Sequence, residues 1–208
     1  MGTMTTRSPQ FLTLLVSAIA VSGYALWGYG SGIQRAAVHP DMIRVFNAQR
    51  TLITLHATCS GIALVSGPFQ FLPGLRAWRP SLHRWLGYLY LTVGVGIGGV
   101  SGLLLAFTAY GGLVSAAGFS LLAALWLFTG VHALLAAKQK DFELHRIWMT
   151  RNYALTFAGV TIRIYLGLFF ASGLKFEEFY PSLAWLCWVP NLILVEWWLL
   201  PGRNRQNP

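Results

Sequence analysis

Two segments of this 208-residue chain begin with the same tripeptide, Leu-His-Arg. The first is LHRWLGYLYLT at residues 82–92, and the second is LHRIWMTRNYALT at residues 144–156. A neutral imidazole is a common ligand of transition metals, and a guanidinium group binds carboxylates and phosphates through paired hydrogen bonds. His83, Arg84, His145 and Arg146 are therefore the first candidates for chemistry.

The chain around these residues is too apolar for an ordinary soluble protein. Hydrophobic residues make up 55% of it and charged residues 10%, and the mean hydropathy is +0.56. Six apolar runs are long enough to cross a hydrocarbon core of about 30 Å. They lie near residues 10–30, 52–72, 85–110, 113–137, 150–172 and 180–200. We predict one all-α integral membrane domain, residues 1–208, with six transmembrane helices and a core four-helix bundle of spans two to five.

The basic residues are distributed unevenly between the two sides that six spans would define. One side collects Arg7, Arg76, Arg79, Arg84, Lys138, Lys140, Arg146, Arg151, Arg203 and Arg205, and the other has Arg35, Arg44, Arg50 and Lys175. The richer side is expected in the cytoplasm, which predicts that both termini are cytoplasmic in a bacterial inner membrane. The net charge of +9 is then explained mainly by the orientation of the chain in the membrane and by attraction to the lipid bilayer. No nucleic-acid partner is expected.

Helical spacing gives three predicted spans an inward face of small and polar residues. In span five the stripe is His145, Met149, Asn152, Thr156, Gly159 and Arg163. In span three it is His83, Gly87, Tyr90, Gly94, Ile97 and Ser101, and in span two it is His56, Ser60, Ala63, Gly67 and Gln70. Small residues let a second helix, or a flat cofactor, come close.

Polar residues from several spans fall at one depth on the cytoplasmic side. His83 and His145 begin spans three and five, while His132 and Glu196 lie near the same side in spans four and six. We predict a cluster there, made of His83, Arg84, His132, His145, Arg146, Arg151, Asn152 and Glu196. The chain has no GxSxG, Walker or HExxH motif, so hydrolase, nucleotide-binding and metalloprotease chemistry are not indicated.

Three interpretations of this cluster remain open. In the first, His83 and His145 ligate the iron of a haem b, and the nearby arginines hold its propionates, which predicts a membrane electron-transfer protein with a quinone or a membrane complex as partner. In the second, the polar residues are structural, Glu196 neutralises Arg151 or bonds His132, and the chain is a non-catalytic subunit or scaffold of a larger membrane complex. In the third, Arg163 and His56 bind an anion or relay a proton.

Several segments resemble an uncharacterised bacterial multi-pass membrane family, domain of unknown function family 2306. These are HATCSGIALVSGPFQF, LHRWLGYLYL, GFSLLAALWLFTG, HRIWMTRNYALTFAGVTIRIYL and NLILVEW, and the resemblance covers about residues 50–200. It marks as characteristic His56, Gln70, His83, Arg84, His145, Arg146, Arg151, Arg163 and Glu196. With His132 these are the candidate cofactor-site residues, and His83 and His145 are the candidate metal ligands. The family has no established activity, so the resemblance implies a membrane fold and no particular chemistry.

A looser similarity is to the transmembrane ascorbate-reducible cytochromes b, in which four histidines on four central helices hold two haems. Four predicted spans here carry one histidine each near an end: His56, His83, His132 and His145. However, His56 begins span two on the outer side, whereas His132 ends span four on the inner side. The similarity therefore implies one haem, between His83 and His145, and leaves a second one without a ligand pair.

Overall fold

The structure is a computed structural model that describes residues 5–31 and 39–200. Within these ranges the regular elements are helices, and no strand is present. The chain divides into two compact units, Met1–Ser101 and Gly102–Pro208. The prediction of an all-α fold is confirmed for the part of the chain that is described.

The first unit is built around a long central helix. Its elements are α1 (Pro9–Ser31), α2 (Pro40–Ala48), α3 (Arg50–Gln70), α4 (Pro73–Trp78), α5 (Pro80–Tyr88), a π-helical segment (Leu89–Ile97) and the start of α6 (Gly98–Ala106). Helix α3 packs against both α1 and the π-helical segment. Pro73 and Pro80 occupy the first turns of α4 and α5, where a missing N–H leaves no hydrogen bond unmade.

The second unit contains the remaining helices. They are α7 (Gly112–Lys138), α8 (Phe142–Thr156), α9 (Ala158–Ser172), α10 (Phe176–Leu186), α11 (Val189–Leu194) and a π-helical segment (Val195–Leu199). Helix α8 begins after Asp141, whose carboxylate accepts a hydrogen bond of 2.9 Å from the backbone N–H of Leu144. This cap satisfies one of the free N–H groups of the first turn. Helix α7 packs against α8 and α10, and α11 packs against α8.

Among the described residues, five helices are long and apolar enough to cross a membrane. They are Pro9–Tyr29, Arg50–Gln70, Pro80–Ala106, Gly112–Lys138 and Phe142–Ser172, and they correspond to predicted spans one to five. The fifth includes both α8 and α9. The stretch predicted as span six, residues 180–200, is not one helix, because it is interrupted between Leu186 and Val189. Pro190 lies just after this interruption, and a proline has no N–H with which to continue a helix from the preceding turn.

Candidate functional site

The end of the α7–α8 pair brings together three of the predicted cluster residues. The ring centroids of His132 and Trp148 lie 4.9 Å apart, and the guanidinium carbon of Arg151 lies 4.8 Å from the Trp148 ring. Arg151 donates from Nε to Glu196 Oε1 at 2.5 Å and from Nη2 to Oε2 at 3.0 Å. His132, Trp148, Arg151 and Glu196 form one continuous row, which we call the His132–Glu196 row.

The ion pair at the end of this row is partly exposed. The side chains of Arg151 and Glu196 are 27% and 41% accessible, respectively. Glu196 thus engages Arg151 in the manner that the structural interpretation predicted. Because the guanidinium of Arg151 is paired with both oxygens of a carboxylate, it attracts a further anion less strongly than an unpaired guanidinium would.

His145 lies beside this row and has a fixed ring orientation. Its Nδ1 atom lies 2.8 Å from the backbone carbonyl oxygen of Ala133 on α7, and the side chain is half-buried. A carbonyl oxygen only accepts, so Nδ1 carries the hydrogen and donates it. In the neutral ring, Nε2 then holds the free lone pair. Histidines that ligate metals are commonly oriented by such a second hydrogen bond.

Two other predicted histidines donate in the same way. His56 Nδ1 lies 2.8 Å from the carbonyl oxygen of Gly98, and His132 Nδ1 lies 2.9 Å from that of Phe128. His83 belongs to the first unit and His145 to the second, so their meeting stays a prediction from the sequence. In the part of the chain that is described, no group of three or more His, Cys, Asp or Glu is placed to hold a metal ion.

The inward stripe predicted for span five is confirmed for its central residues. Met149, Asn152 and Thr156 are buried, and Asn152 is 0% exposed. Asn152 Nδ2 donates to the carbonyl oxygen of Trp126 at 2.7 Å and to Thr129 Oγ1 at 2.8 Å. Thr156 Oγ1 accepts from the Trp126 indole N–H at 2.8 Å. The stripe is therefore occupied by α7, and its polar groups are used to join two helices.

Three residues in these contacts were missing from the sequence prediction. Trp126 and Thr129 receive or supply the hydrogen bonds to Asn152 and Thr156. Asn191 Nδ2 lies within hydrogen-bond distance of the Ala154 carbonyl oxygen at 3.2 Å and of Thr161 Oγ1 at 3.0 Å. Asn152 was predicted from its helical spacing relative to His145, and the signal that could have identified Asn191 is a polar amide within an apolar run.

Arg163, at the far end of the same stripe, turns back onto its own helix. Its Nη1 atom donates to the carbonyl oxygen of Gly159 at 2.6 Å, and its side chain is half-buried. His56, which the third interpretation combines with Arg163, belongs to the first unit, so a site shared by the two residues stays a prediction.

The glycine face predicted for span three is filled by α3. A Cβ atom on Gly94 would lie 2.7 Å from the Cβ of Ala63, and one on Gly87 would lie 3.3 Å from Gln70 Oε1. The predicted stripe of span two is thus confirmed at Ala63 and Gln70, which are buried. Of the two partners that the glycine spacing allowed, a helix and a flat cofactor, the helix occupies Gly87 and Gly94.

The two arginines that follow the repeated histidines are both exposed. Arg84 donates from Nη2 to Ser81 Oγ at 3.2 Å within the first turns of α5. Arg146 lies in the first turns of α8. Their role in holding anionic groups stays a prediction from the sequence.

The comparisons with known proteins give one match. A family model described as "Predicted membrane protein (DUF2306)" matches residues 53–199, which is more than half of the chain. Every predicted site residue, from His56 to Glu196, lies within the matched range. No curated protein and no solved structure matches the chain.

Proposed function

The chain belongs to the DUF2306 family of predicted membrane proteins, and we propose that it transfers electrons in the membrane through a haem b ligated by His145. The observation that carries this proposal is the hydrogen bond from His145 Nδ1 to the Ala133 carbonyl oxygen. It holds the imidazole in the tautomer whose Nε2 can ligate iron, and it increases the electron density of the ring.

The other residues have supporting roles in this proposal. Arg146 is exposed one residue after His145 and offers a positive charge to a propionate. His83 is the second ligand predicted from the sequence. A haem would have to be held elsewhere than on Gly87 and Gly94, because α3 fills that face. A bound haem would supply the one-electron redox change, while the chain would orient the imidazole and balance the charge.

The test is a visible absorption spectrum of the purified protein before and after reduction with dithionite. We expect a haem b spectrum with about one haem per chain, and we expect His145→Ala to lose it while the variant remains in the membrane. His39→Ala is the matched control, because His39 precedes α2 and lies outside the family match, so it should keep the pigment. A colourless wild-type protein from haem-replete cells would exclude the proposal.

A second candidate function is a non-catalytic subunit or scaffold in a larger membrane complex. It is favoured by the self-contained pairing of polar groups, because Asn152 is bonded to α7 and Arg151 is bonded to Glu196. Cross-linking in native membranes, followed by purification in mild detergent, separates the two candidates. A colourless protein that co-purifies in a fixed ratio with other subunits supports the scaffold, and a pigmented protein supports electron transfer.

We also propose six membrane crossings, with both termini in the cytoplasm of a bacterial inner membrane. Support comes from the course of the interrupted final segment beside α7. Near the start of α7, Pro181 adjoins Gly111, and Ala184 packs against Gly118.

The other end of the final segment is placed by Glu196, which is bonded to Arg151 of α8. The next residue of α8, Asn152, is bonded to Thr129 of α7. The final segment therefore follows α7 from its start to the level of Thr129, a distance of about 26 Å at the helical rise per residue.

Reporter fusions test this topology. Fusions after Lys140 and at the C-terminus should both report the cytoplasm, and a fusion within residues 32–38 should report the outer side. A cytoplasmic reporter at Lys140 combined with an external C-terminus would mean that the final segment does not cross, and the number of crossings would be five.

A further inference from the structure

The connection between α3 and α5 forms a separate surface at the end of the first unit. We call residues 72–85 the elbow; it contains α4, Arg79 and the first turns of α5. Helix α3 and the helix that begins at Pro80 are each long enough to cross a membrane. Since the elbow joins the ends of two such helices, it lies at a membrane surface.

The side chains of the elbow combine aromatic and basic character. Trp78 is 85% exposed and Trp85 is 61% exposed. Arg76, Arg79 and Arg84 are also exposed. Tryptophan rings prefer the headgroup level of a bilayer, and guanidinium groups bind phosphate through paired hydrogen bonds. The combination is suited to the boundary between acyl chains and phosphate groups.

The charge of this surface is not balanced by acidic residues of its own unit. In the sequence, residues 42–140 contain no Asp or Glu, and Asp41 is the single acidic residue before Ser101. Asp41 precedes α3, whereas the elbow follows it, so about 30 Å of helix separates them. Within the first unit, the three guanidinium groups of the elbow therefore require counter-ions from outside the unit.

We propose that the elbow binds an anionic phospholipid, with the phosphodiester against Arg76 and Arg79 and the acyl chains beside Trp78 and Trp85. Charge complementarity between the arginines and a phosphodiester supports this occupant, in a segment that lies at the membrane surface. Such binding requires that the chain span a membrane, and it is independent of any cofactor at His145. Each arginine near an anionic surface contributes about 5-fold to affinity, the equivalent of about 1 kcal/mol.

The experiment compares lipid binding to the purified full-length protein by native mass spectrometry in a neutral detergent. Phosphatidylglycerol and phosphatidylcholine with identical acyl chains are added at equal concentration, and the retained lipid is counted. The wild type should prefer phosphatidylglycerol at least 10-fold, and R76Q/R79Q should lose most of this preference. R44Q/R50Q is the matched control, because it removes two exposed arginines from α2 and the start of α3, and it should bind like the wild type.

Two further measurements separate lipid binding from other roles of these arginines. R76K/R79K keeps the charge that orients the helices but lacks the paired donors, so its preference should fall several-fold without disappearing. Millimolar inorganic phosphate should not displace the lipid, because it has no acyl chains to contact the tryptophans. An unchanged lipid preference in R76Q/R79Q, an equal loss in R44Q/R50Q, or displacement by phosphate alone would each overturn the proposal.

Discussion

The two units join their central helices in different ways. In the first, α3 and the π-helical segment approach so closely that a Cβ atom on Gly94 would collide with Ala63. In the second, α7 and α8 are connected by hydrogen bonds of Asn152 and Thr156 to Trp126 and Thr129. Lipid tails are as apolar as leucine, so membrane helices associate through close packing and interhelical hydrogen bonds. In this chain the closest approach, at Gly94, lies in the first pair, and the hydrogen bonds of Asn152 and Thr156 lie in the second.

The histidines show what the two pairs have in common. His56 donates from α3 to the Gly98 carbonyl oxygen, and His145 donates from α8 to the Ala133 carbonyl oxygen. In both units, Nδ1 of the histidine links neighbouring helical segments. For His145, a structural role and a ligand role are therefore compatible, because they use different nitrogens.

The largest expected effect comes from adding a methyl group at the close approach in the first unit. Gly94→Ala places a Cβ 2.7 Å from the Ala63 Cβ and 3.1 Å from its Cα, so one helix must shift. We expect a loss of about 1–3 kcal/mol, measured as a lower unfolding midpoint in detergent. Gly96→Ala is the control, since its added Cβ meets only the Leu91 carbonyl oxygen at 3.4 Å. Equal losses at both sites would show that the helix contact is not the cause.

A similar substitution tests whether close packing is confined to the first unit. Gly118→Ala on α7 places a Cβ 2.8 Å from the Ala184 carbonyl oxygen and 2.9 Å from Trp185 Nε1. The indole can rotate, but the Ala184 carbonyl group cannot move without its backbone, so we expect a loss comparable with that of Gly94→Ala, about 1–3 kcal/mol. Gly167→Ala has open space around its Cβ and should leave the unfolding midpoint unchanged or raise it slightly.

The hydrogen-bonded pair should respond to loss of its amide. Asn152→Leu removes the donor to Thr129 and to the Trp126 carbonyl oxygen, and we expect a loss of about 1–2 kcal/mol, near the upper end for such bonds in membranes. A double-mutant cycle with Thr129→Val measures the coupling free energy between Asn152 and Thr129. Thr150→Val is the control, since that hydroxyl donates only to the carbonyl of Arg146 one turn earlier. A coupling energy of zero would contradict the central position that we give to this bond.

The smallest effect is expected at the ion pair. Arg151→Gln and Glu196→Gln should each lower the free energy of unfolding by less than about 1 kcal/mol, because both side chains are partly exposed and the pair is screened. The difference between variant and wild type should shrink as salt is raised. The charge-swapped pair, R151E/E196R, should recover part of the loss. A large effect that is independent of salt would contradict this prediction, because it would mean that the ion pair is less accessible to water than it is in the structure.

The sequence determined those features that depend on neighbouring residues along the chain. Apolar runs placed five of the predicted spans close to helices that the structure contains, because the free energy of transfer into lipid is a property of the segment itself. The 3.6-residue period placed Met149, Asn152 and Thr156 on one face, and they are buried together. The sixth predicted span contains Pro190, and predicting it as one continuous helix overlooked the interruption that the structure has before this proline.

The contacts of each helix face, in contrast, follow from the tertiary structure. The glycines of span three suited a helix and a cofactor equally well, and the structure places α3 against Gly87 and Gly94. The partners of His145, Asn152 and Asn191 lie on other helices or many residues away, so no local pattern contained them. The physical reason is that periodicity fixes the relative directions of side chains on one helix, whereas the rotation and depth of its neighbour follow from packing and hydrogen bonding between helices.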